Sequence, residues 1–257
     1  MHLKELYDLE NKVVLVTGGA GKFGKSIVEA FAESNAIVLV ASRSKMDCSQ
    51  LADSYLKSGY KVFPLTYDQG DFDSIVNLRN TIKTKFGKLD VFVNNAFSLP
   101  MLKYSDPIST WESSMKVNST GMFHILREMS NLINESGGGS IINISSMKAF
   151  YSPDFDLYTG TNMDSPPDYN FHKAGMIGLT KYLARYLAHQ NIRVNSISPG
   201  GLFADQPKEF INKYINKVPL KRMADNFDIK GVVVFLASNA SRYITGIDIL
   251  MDGGLHS

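Results

Sequence analysis

The chain has 257 residues, 44% of them hydrophobic and 20% charged, enough to bury the core of one large α/β domain or two small ones. A net charge of +2, with no basic run interleaved with aromatics, excludes a nucleic-acid surface built on charge. The single cysteine, Cys48, excludes an internal disulfide and a thiolate metal site, and suits a reducing compartment.

The opening MHLKELYDLENK is polar and carries acids, unlike a signal or transit peptide. No apolar run approaches the roughly 20 residues that cross a bilayer. A cytoplasmic protein without membrane contact is therefore expected. The five histidines show no metal-ligand spacing, so no metal is expected either.

Short apolar runs follow one another along the chain: 12–17 (KVVLVT), 36–41 (AIVLVA), 60–66 (YKVFPLT), 89–95 (LDVFVNN), 139–145 (GSIINIS), 192–198 (IRVNSIS) and 246–251 (GIDILM). They are bounded by Gly, Asn, Asp or Ser and lack two-residue alternation, as parallel strands buried on both faces do. Amphipathic stretches such as 25–34 and 230–239 lie between them. Strand and helix in alternation predict a doubly wound α/β sheet, here of seven parallel strands, with right-handed crossovers. The glycines at 137–139 read as a tight turn before a strand, and no linker divides the chain. One domain over 1–257 is expected.

Residues 19–26, GAGKFGKS, satisfy two motifs at once. Gly19-x-x-x-x-Gly24-Lys25-Ser26 fits the phosphate loop of nucleotide hydrolases, and Gly19-x-Gly21-x-x-Gly24 fits a dinucleotide-binding turn. Both aim backbone N–H groups and a helix N-terminus at phosphate. A phosphate loop needs an acid at the end of a later strand to hold magnesium, and the best candidate, Asp252, lies at the far end of the chain. A dinucleotide turn needs a ribose-reading group at the end of the second strand. That place holds Ser42 and Arg43, with no carboxylate for a free 2′-hydroxyl, which favours NADP and leaves NAD as the alternative. Lys22 adds positive charge within the turn.

Of twelve tyrosines, only Tyr169 has a lysine four residues later, which puts Tyr169 and Lys173 on one helix face. A free phenol has a pKa of about 10, and holding the phenolate at pH 7 requires about 4 kcal/mol of differential stabilisation. Two close positive charges in a shielded cleft, the ammonium and an oxidised nicotinamide ring, can supply it. Alone, such a pair is a weak signal. Here it accompanies TGGAGKFG (17–24), VNNA (93–96), KVNSTGMF (116–123), NISS (143–146), SPG (198–200) and MDGG (251–254). With these motifs in this order, the chain resembles the short-chain dehydrogenase/reductase family over nearly its whole length. It is also loosely similar to oxidoreductases of flagellin modification and nonulosonic-acid sugar pathways.

The resemblance implies a nicotinamide cofactor held by Gly18, Gly21, Lys22, Phe23, Gly24, Ser42, Arg43, Asp68, Asn94, Tyr169, Lys173, Pro199 and Gly200. It implies Tyr169 as general acid or base, Lys173 on the nicotinamide ribose and lowering the Tyr169 pKa, and Ser146 on the substrate oxygen. Asn118 would anchor a water that joins Lys173 to solvent. Asp68 is read as an acceptor for the adenine amino group or as a helix N-cap, and Asn94 as a brace for neighbouring backbone. His172 is assigned no catalytic role, because it faces away from Lys173 on the same helix. Homodimers or homotetramers, paired through helices near 106–134 and 169–189, are implied too.

Three departures from the family pattern stand out. Lys22 replaces the middle glycine of the turn, and Phe97 replaces a glycine where it can narrow the cleft near the nicotinamide ribose. Tyr169 follows Ser146 by 23 residues, a long separation that defines an insertion near 151–168. Its Tyr151, Phe155 and Tyr158 offer aromatic faces, and Asp154, Asp156, Thr159, Thr161 and Asn162 offer hydrogen bonds. That mixture suits a sugar or nucleotide-sugar substrate. The segment 202–210 is expected to close over the cofactor as a lid. The expected function is NADP-dependent interconversion of a carbonyl and a secondary alcohol. A non-catalytic NADP-binding regulator and, more remotely, a phosphate-loop hydrolase are the alternatives.

Overall fold

The structure, a computed structural model, describes residues 2–257. Seven strands form one parallel sheet: β1 (Val13–Thr17), β2 (Ile37–Ser42), β3 (Val62–Thr66), β4 (Val91–Asn94), β5 (Gly139–Ile144), β6 (Ile192–Pro199) and β7 (Asp248–Met251). Their order across the sheet is β3-β2-β1-β4-β5-β6-β7. Val14 of β1 pairs with Val38 on one side and Val91 on the other, so β1 sits inside the sheet. Helices α1 (Leu3–Leu6), α2 (Lys22–Glu33), α3 (Lys45–Leu56), α4 (Phe72–Phe86), α5 (Ile108–Met115), α6 (Met122–Glu135), α7 (Pro167–Tyr186), α8 (Lys208–Lys217) and α9 (Asp228–Ala237) complete the chain.

The inner strands lack alternation because each residue finds a helix on its own side. Val13 and Leu15 join the core under α4, α6 and α7, whereas Val14 and Val16 join the core under α2, α3 and α9. Burying both faces this way is the main apolar contribution to stability. The edges behave differently: β3 exposes Pro64, and β7 is only half-covered, with Leu250 exposed. Proline on an edge strand forfeits no ladder bond inside the sheet.

Between α5 and α6 the helix continues through a π-helical turn, Lys116–Gly121, that carries Asn118. Such wide turns disturb the regular ladder and cluster at functional sites. The insertion after Ser146 is held down rather than loose. Leu157 packs with Phe210, Tyr214, Val218 and Met223, while Lys213 Nζ donates to the carbonyls of Asp156 and Thr159 and Lys217 pairs with Asp154. The segment expected to be a lid leads into α8 and pairs with Ala224 through Leu202, and the Tyr214 hydroxyl accepts from Gly201 N–H at 2.6 Å.

Candidate functional site: a cleft at the ends of the strands

The C-terminal ends of β1, β4, β5 and β6 meet where the winding reverses, between β1 and β4, which is where open parallel sheets place ligands. Here the glycine turn leaves β1. Gly18 has φ +62°, a left-handed backbone that favours glycine. A Cβ at Gly24 would lie 2.1 Å from the Gly18 carbonyl oxygen and 2.8 Å from Gly19 Cα, so only glycine lets α2 start this close to the turn. Gly21 caps α2 without a side chain, which leaves the first amides of the helix open to the cleft. Lys22 is the first helical residue and is not among the positive-φ residues, so the turn accommodates it without strain.

Asn95 fastens this turn to the end of β4. Its amide nitrogen donates to the carbonyls of Thr17 and Gly18 at 3.0 and 3.1 Å, and its backbone N–H donates to Thr17 Oγ1. Asn94 was expected at the cofactor, and the structure corrects that assignment. Adjacent strand residues point to opposite faces, and Asn94 is fully buried, donating to Asn143 Oδ1 at 2.9 Å. Asn143 in turn donates to Thr180 Oγ1. The double asparagine in VNNA was the available signal, but the pleat that decides between the two was not settled by sequence.

Two continuous hollows follow. One, about 420 Å³, is lined by Gly18, Gly21, Lys22, Phe23 and Gly24 on one side and by Ser146, Tyr169, Lys173, Pro199 and Gly200 on the other. The other, about 160 Å³, is lined by Ser42, Arg43, Asp68 and Tyr67, among others. Gly18, Ala96 and Phe97 border both. Arg43 is exposed, and among the described residues its guanidinium has no ion pair. Ser42 is engaged locally with Ser44 and Cys48. Asp68 accepts from Gly70 N–H at 2.8 Å and does not cap α4; Asp71 does.

Lys173 is buried on α7, and its ammonium donates to the Ile144 carbonyl at 2.7 Å. Phe97 lies over it, 4.5 Å from Nζ to the ring centroid, and meets Tyr169 edge-on at 5.2 Å. The residue that replaces a glycine thus covers the lysine directly. Burial pulls the Lys173 amine down to about 7. Burial also pushes the Tyr169 phenol up, opposed by the Ser146 hydroxyl. Burial dominates at the Tyr169 phenol, and the Lys173 ammonium donates to the Ile144 carbonyl.

Asn118 is buried, and its side chain is taken up by others. Oδ1 accepts from Ser98 N–H at 2.9 Å, and Nδ2 donates to the Ser98 carbonyl and to Ser114 Oγ. It clamps the loop after β4 rather than reaching towards Lys173. Behind it, Ser114 Oγ donates to Asp168 Oδ2 at 2.6 Å and meets His172 Nε2 at 3.0 Å, while Ser119 Oγ meets His172 Nδ1 at 3.2 Å. With the Ser114 proton given to Asp168, the network assigns the imidazole proton to Nε2. Burial lowers the His172 pKa and keeps the ring neutral. The phosphate-loop alternative loses its magnesium ligand. Asp252 leaves the outermost strand, β7, and accepts from Gly254 N–H and His256.

Residues 19–256 match the family model described as enoyl-(acyl carrier protein) reductase. A 3-oxoacyl-(acyl-carrier-protein) reductase FabG from Thermotoga maritima is 32% identical over 256 residues, 96% of this chain and 98% of the relative. A post-translational flagellin modification protein A from Campylobacter coli is 30% identical, covering 96% of this chain and 98% of the relative. A short-chain dehydrogenase from Leptospira borgpetersenii with bound NAD+ superposes with a TM-score of 0.88 at 32% identity, covering 100% of this chain and 98% of that one. The chain belongs to the short-chain dehydrogenase/reductase family of oxidoreductases. Among the described residues, no helix is long and apolar enough to cross a membrane.

Proposed function

We propose that this protein is an NADP-dependent oxidoreductase that interconverts a carbonyl and a secondary alcohol, with Tyr169 exchanging the proton. The observation that carries the proposal is the meeting of Ser146, Tyr169 and Lys173 along one cleft, bordering a hollow edged by Arg43, which has no ion pair among the described residues. The open amides of α2 and the close glycine approach at Gly24 fit a pyrophosphate. Gly18, Gly21, Lys22, Phe23 and Gly24 would hold it. Arg43 would meet a 2′-phosphate, with Ser42 and Asp68 on the adenosine and Pro199 and Gly200 beside the nicotinamide. When bound, that group supplies or accepts the hydride.

In the reductive direction Ser146 holds the carbonyl oxygen by a hydrogen bond that strengthens as charge develops on it. Tyr169 then gives its phenolic proton to that oxygen as the C–O double bond becomes an alcohol. A phenol whose pKa is raised is protonated at neutral pH, the state a general acid needs. In the oxidative direction the substrate O–H proton passes to the Tyr169 phenolate, and Lys173 favours that anion when its amine is charged. Asn118 positions the loop bordering the cleft through Ser98. The relatives include a 3-oxoacyl-(acyl-carrier-protein) reductase and a flagellin modification protein. The mixture of aromatic and short polar side chains in the insertion near 151–168 supports a polar, sugar-like substrate over an acyl chain.

Exposed Phe123, Tyr182 and Tyr186 on α6 and α7 support pairing of these helices in a homodimer or homotetramer. Tyr169→Phe tests the reading. The variant binds NADPH as the parent does and loses at least about a hundredfold in kcat, the usual scale of general-acid catalysis. Undiminished turnover would sink the assignment. Absence of turnover in the parent across carbonyl and alcohol panels, with tight NADPH binding, would favour the non-catalytic regulator.

A further inference from the structure

The insertion does not present its groups as sequence reading suggests. Tyr151 is stacked on His256 at 3.7 Å, Phe155 is 60% exposed, and Thr161 is bonded within the loop. The Asp154 carboxylate pairs with Lys217. Instead the loop surrounds a lysine that comes from outside it. Lys148, two residues after Ser146, is half-buried, and its Nζ donates to Tyr158 Oη at 2.9 Å and to Ser165 Oγ at 2.6 Å. The same nitrogen lies 5.8 Å from the centre of the Tyr169 ring. It borders a hollow of about 250 Å³ that Tyr158, Tyr151 and Leu157 also line.

Three donors are left over around this nitrogen, one on the ammonium and one on each of the two hydroxyls. An ammonium has three N–H groups, and two are used on neutral oxygens. Tyr158 and Ser165 accept from Lys148, so their own O–H protons are left to donate, and neither has an acceptor among the described residues. The charge count is also uneven. Of the other basic side chains at the hollow, Lys217 faces Asp154 and His256 meets Asp252 at 2.9 Å, whereas Lys148 has no carboxylate partner among the described residues. A half-buried positive charge with only neutral partners is costly unless an anion arrives to meet it.

We infer that Lys148 and Tyr158, braced by Ser165, form an anion subsite beside the Tyr169 ring, which selects substrates that carry a carboxylate close to the reacting carbon. The inference rests on the oxidoreductase reading above and narrows its substrate class to hydroxy acids and sugar acids. One uncompensated positive charge matches a monoanion; a phosphate dianion would leave a surplus negative charge in the hollow. Charge-assisted hydrogen bonds from the ammonium and the Tyr158 hydroxyl would fix the carboxylate. The acid would thereby orient the neighbouring carbinol or carbonyl carbon for Ser146 and Tyr169. Lys148 is a specificity-determining residue here, not a proton donor in the reaction.

The test compares matched pairs with saturating cofactor: gluconate against glucitol, glucuronate against glucose, and glucose 6-phosphate as the phosphate arm. Each is assayed by turnover and by calorimetric binding to the NADPH complex. The expected result is use of the acids at a KM at least tenfold below that of their neutral partners. Lys148→Met then erases the preference, with NADPH affinity unchanged. Tyr158→Phe, which keeps the ring and removes one donor, weakens acid binding in the same direction and covers the case in which Lys148→Met folds poorly. Neutral members used as well as acids would overturn the inference, as would a preference for the phosphate or no binding of any acid at millimolar concentration while NADPH binds. Failure of the parent protein to bind NADPH would contradict the underlying redox reading instead, so the two failures are distinguishable.

Discussion

Replacing Lys173 with methionine makes the stability of the apoprotein less sensitive to pH, and the size of the effect follows from its burial. Lys173 is 4% exposed, has no carboxylate partner among the described residues, and donates to one carbonyl oxygen at 2.7 Å. Its amine falls from the ordinary 10.5 to about 7. The folded protein therefore binds this proton less tightly than the unfolded chain does. Below pH 7 the mismatch costs at most about 5 kcal/mol. Between pH 7 and 10.5 the unfolded chain binds more protons than the folded one, so stability rises with pH through that window. From pH 6.5 to 9.5 about 3 kcal/mol of the cost is relieved.

Methionine keeps an apolar stem of similar length and does not titrate. The Tm advantage of Lys173→Met over the parent should shrink by about 6–12 °C between pH 6.5 and 9.5. Loss of the bond to the Ile144 carbonyl shifts the variant equally at both pH values and drops out of the comparison. Thermal melts by circular dichroism at the two pH values, without cofactor, measure it. A Tm difference that is the same at both would refute the reasoning. It would mean that the Phe97 ring and the Ile144 carbonyl hold the ammonium as well as water does.

Gly24→Ala forces a Cβ to within 2.1 Å of the Gly18 carbonyl oxygen, which only movement of the turn can relieve. The expected result is a stability loss of about 1–3 kcal/mol in urea titrations, with NADPH binding weakened at least tenfold because the amides of α2 shift with the turn. Ser114→Ala removes the partner of Asp168 Oδ2 and of His172 Nε2, and Asp168 Oδ1 already lacks one. Urea unfolding should register a loss of about 3 kcal/mol; a neutral result would mean that water reaches the carboxylate.

Much of the fold could be read from residue patterns because parallel strands buried on both faces leave unbroken apolar runs. Val13 to Thr17 and Ile37 to Ser42 are of this kind, and their expected bounds differ from the observed ones by a residue or so. The turn, Tyr169 and Lys173 were legible because fixed spacing on a turn or helix dictates placement. What sequence missed depends on orientation. Asn94 and Asn95 are adjacent and identical in type, so only the pleat decides which one fastens the turn. Lys148 carries no motif or spacing of its own, and only the fold brings Tyr158 and Ser165, far along the insertion, onto it. Helical spacing puts Lys173 beside Tyr169 but says nothing of the Ile144 carbonyl and Phe97 ring that hold the ammonium.

The central claim is that the glycine turn and Arg43 hold a phosphorylated nicotinamide dinucleotide for redox use. Calorimetric titration of the protein with NADPH, NADH and Mg-ATP in one buffer tests it most directly. The account predicts tight NADPH binding that Arg43→Ala weakens about tenfold, the scale of one lost charge-assisted contact, with NADH binding weaker and insensitive to the change. NADH binding equal to or tighter than NADPH binding, unaffected by Arg43→Ala, would contradict the NADP assignment, and binding of Mg-ATP alone would contradict the redox account itself.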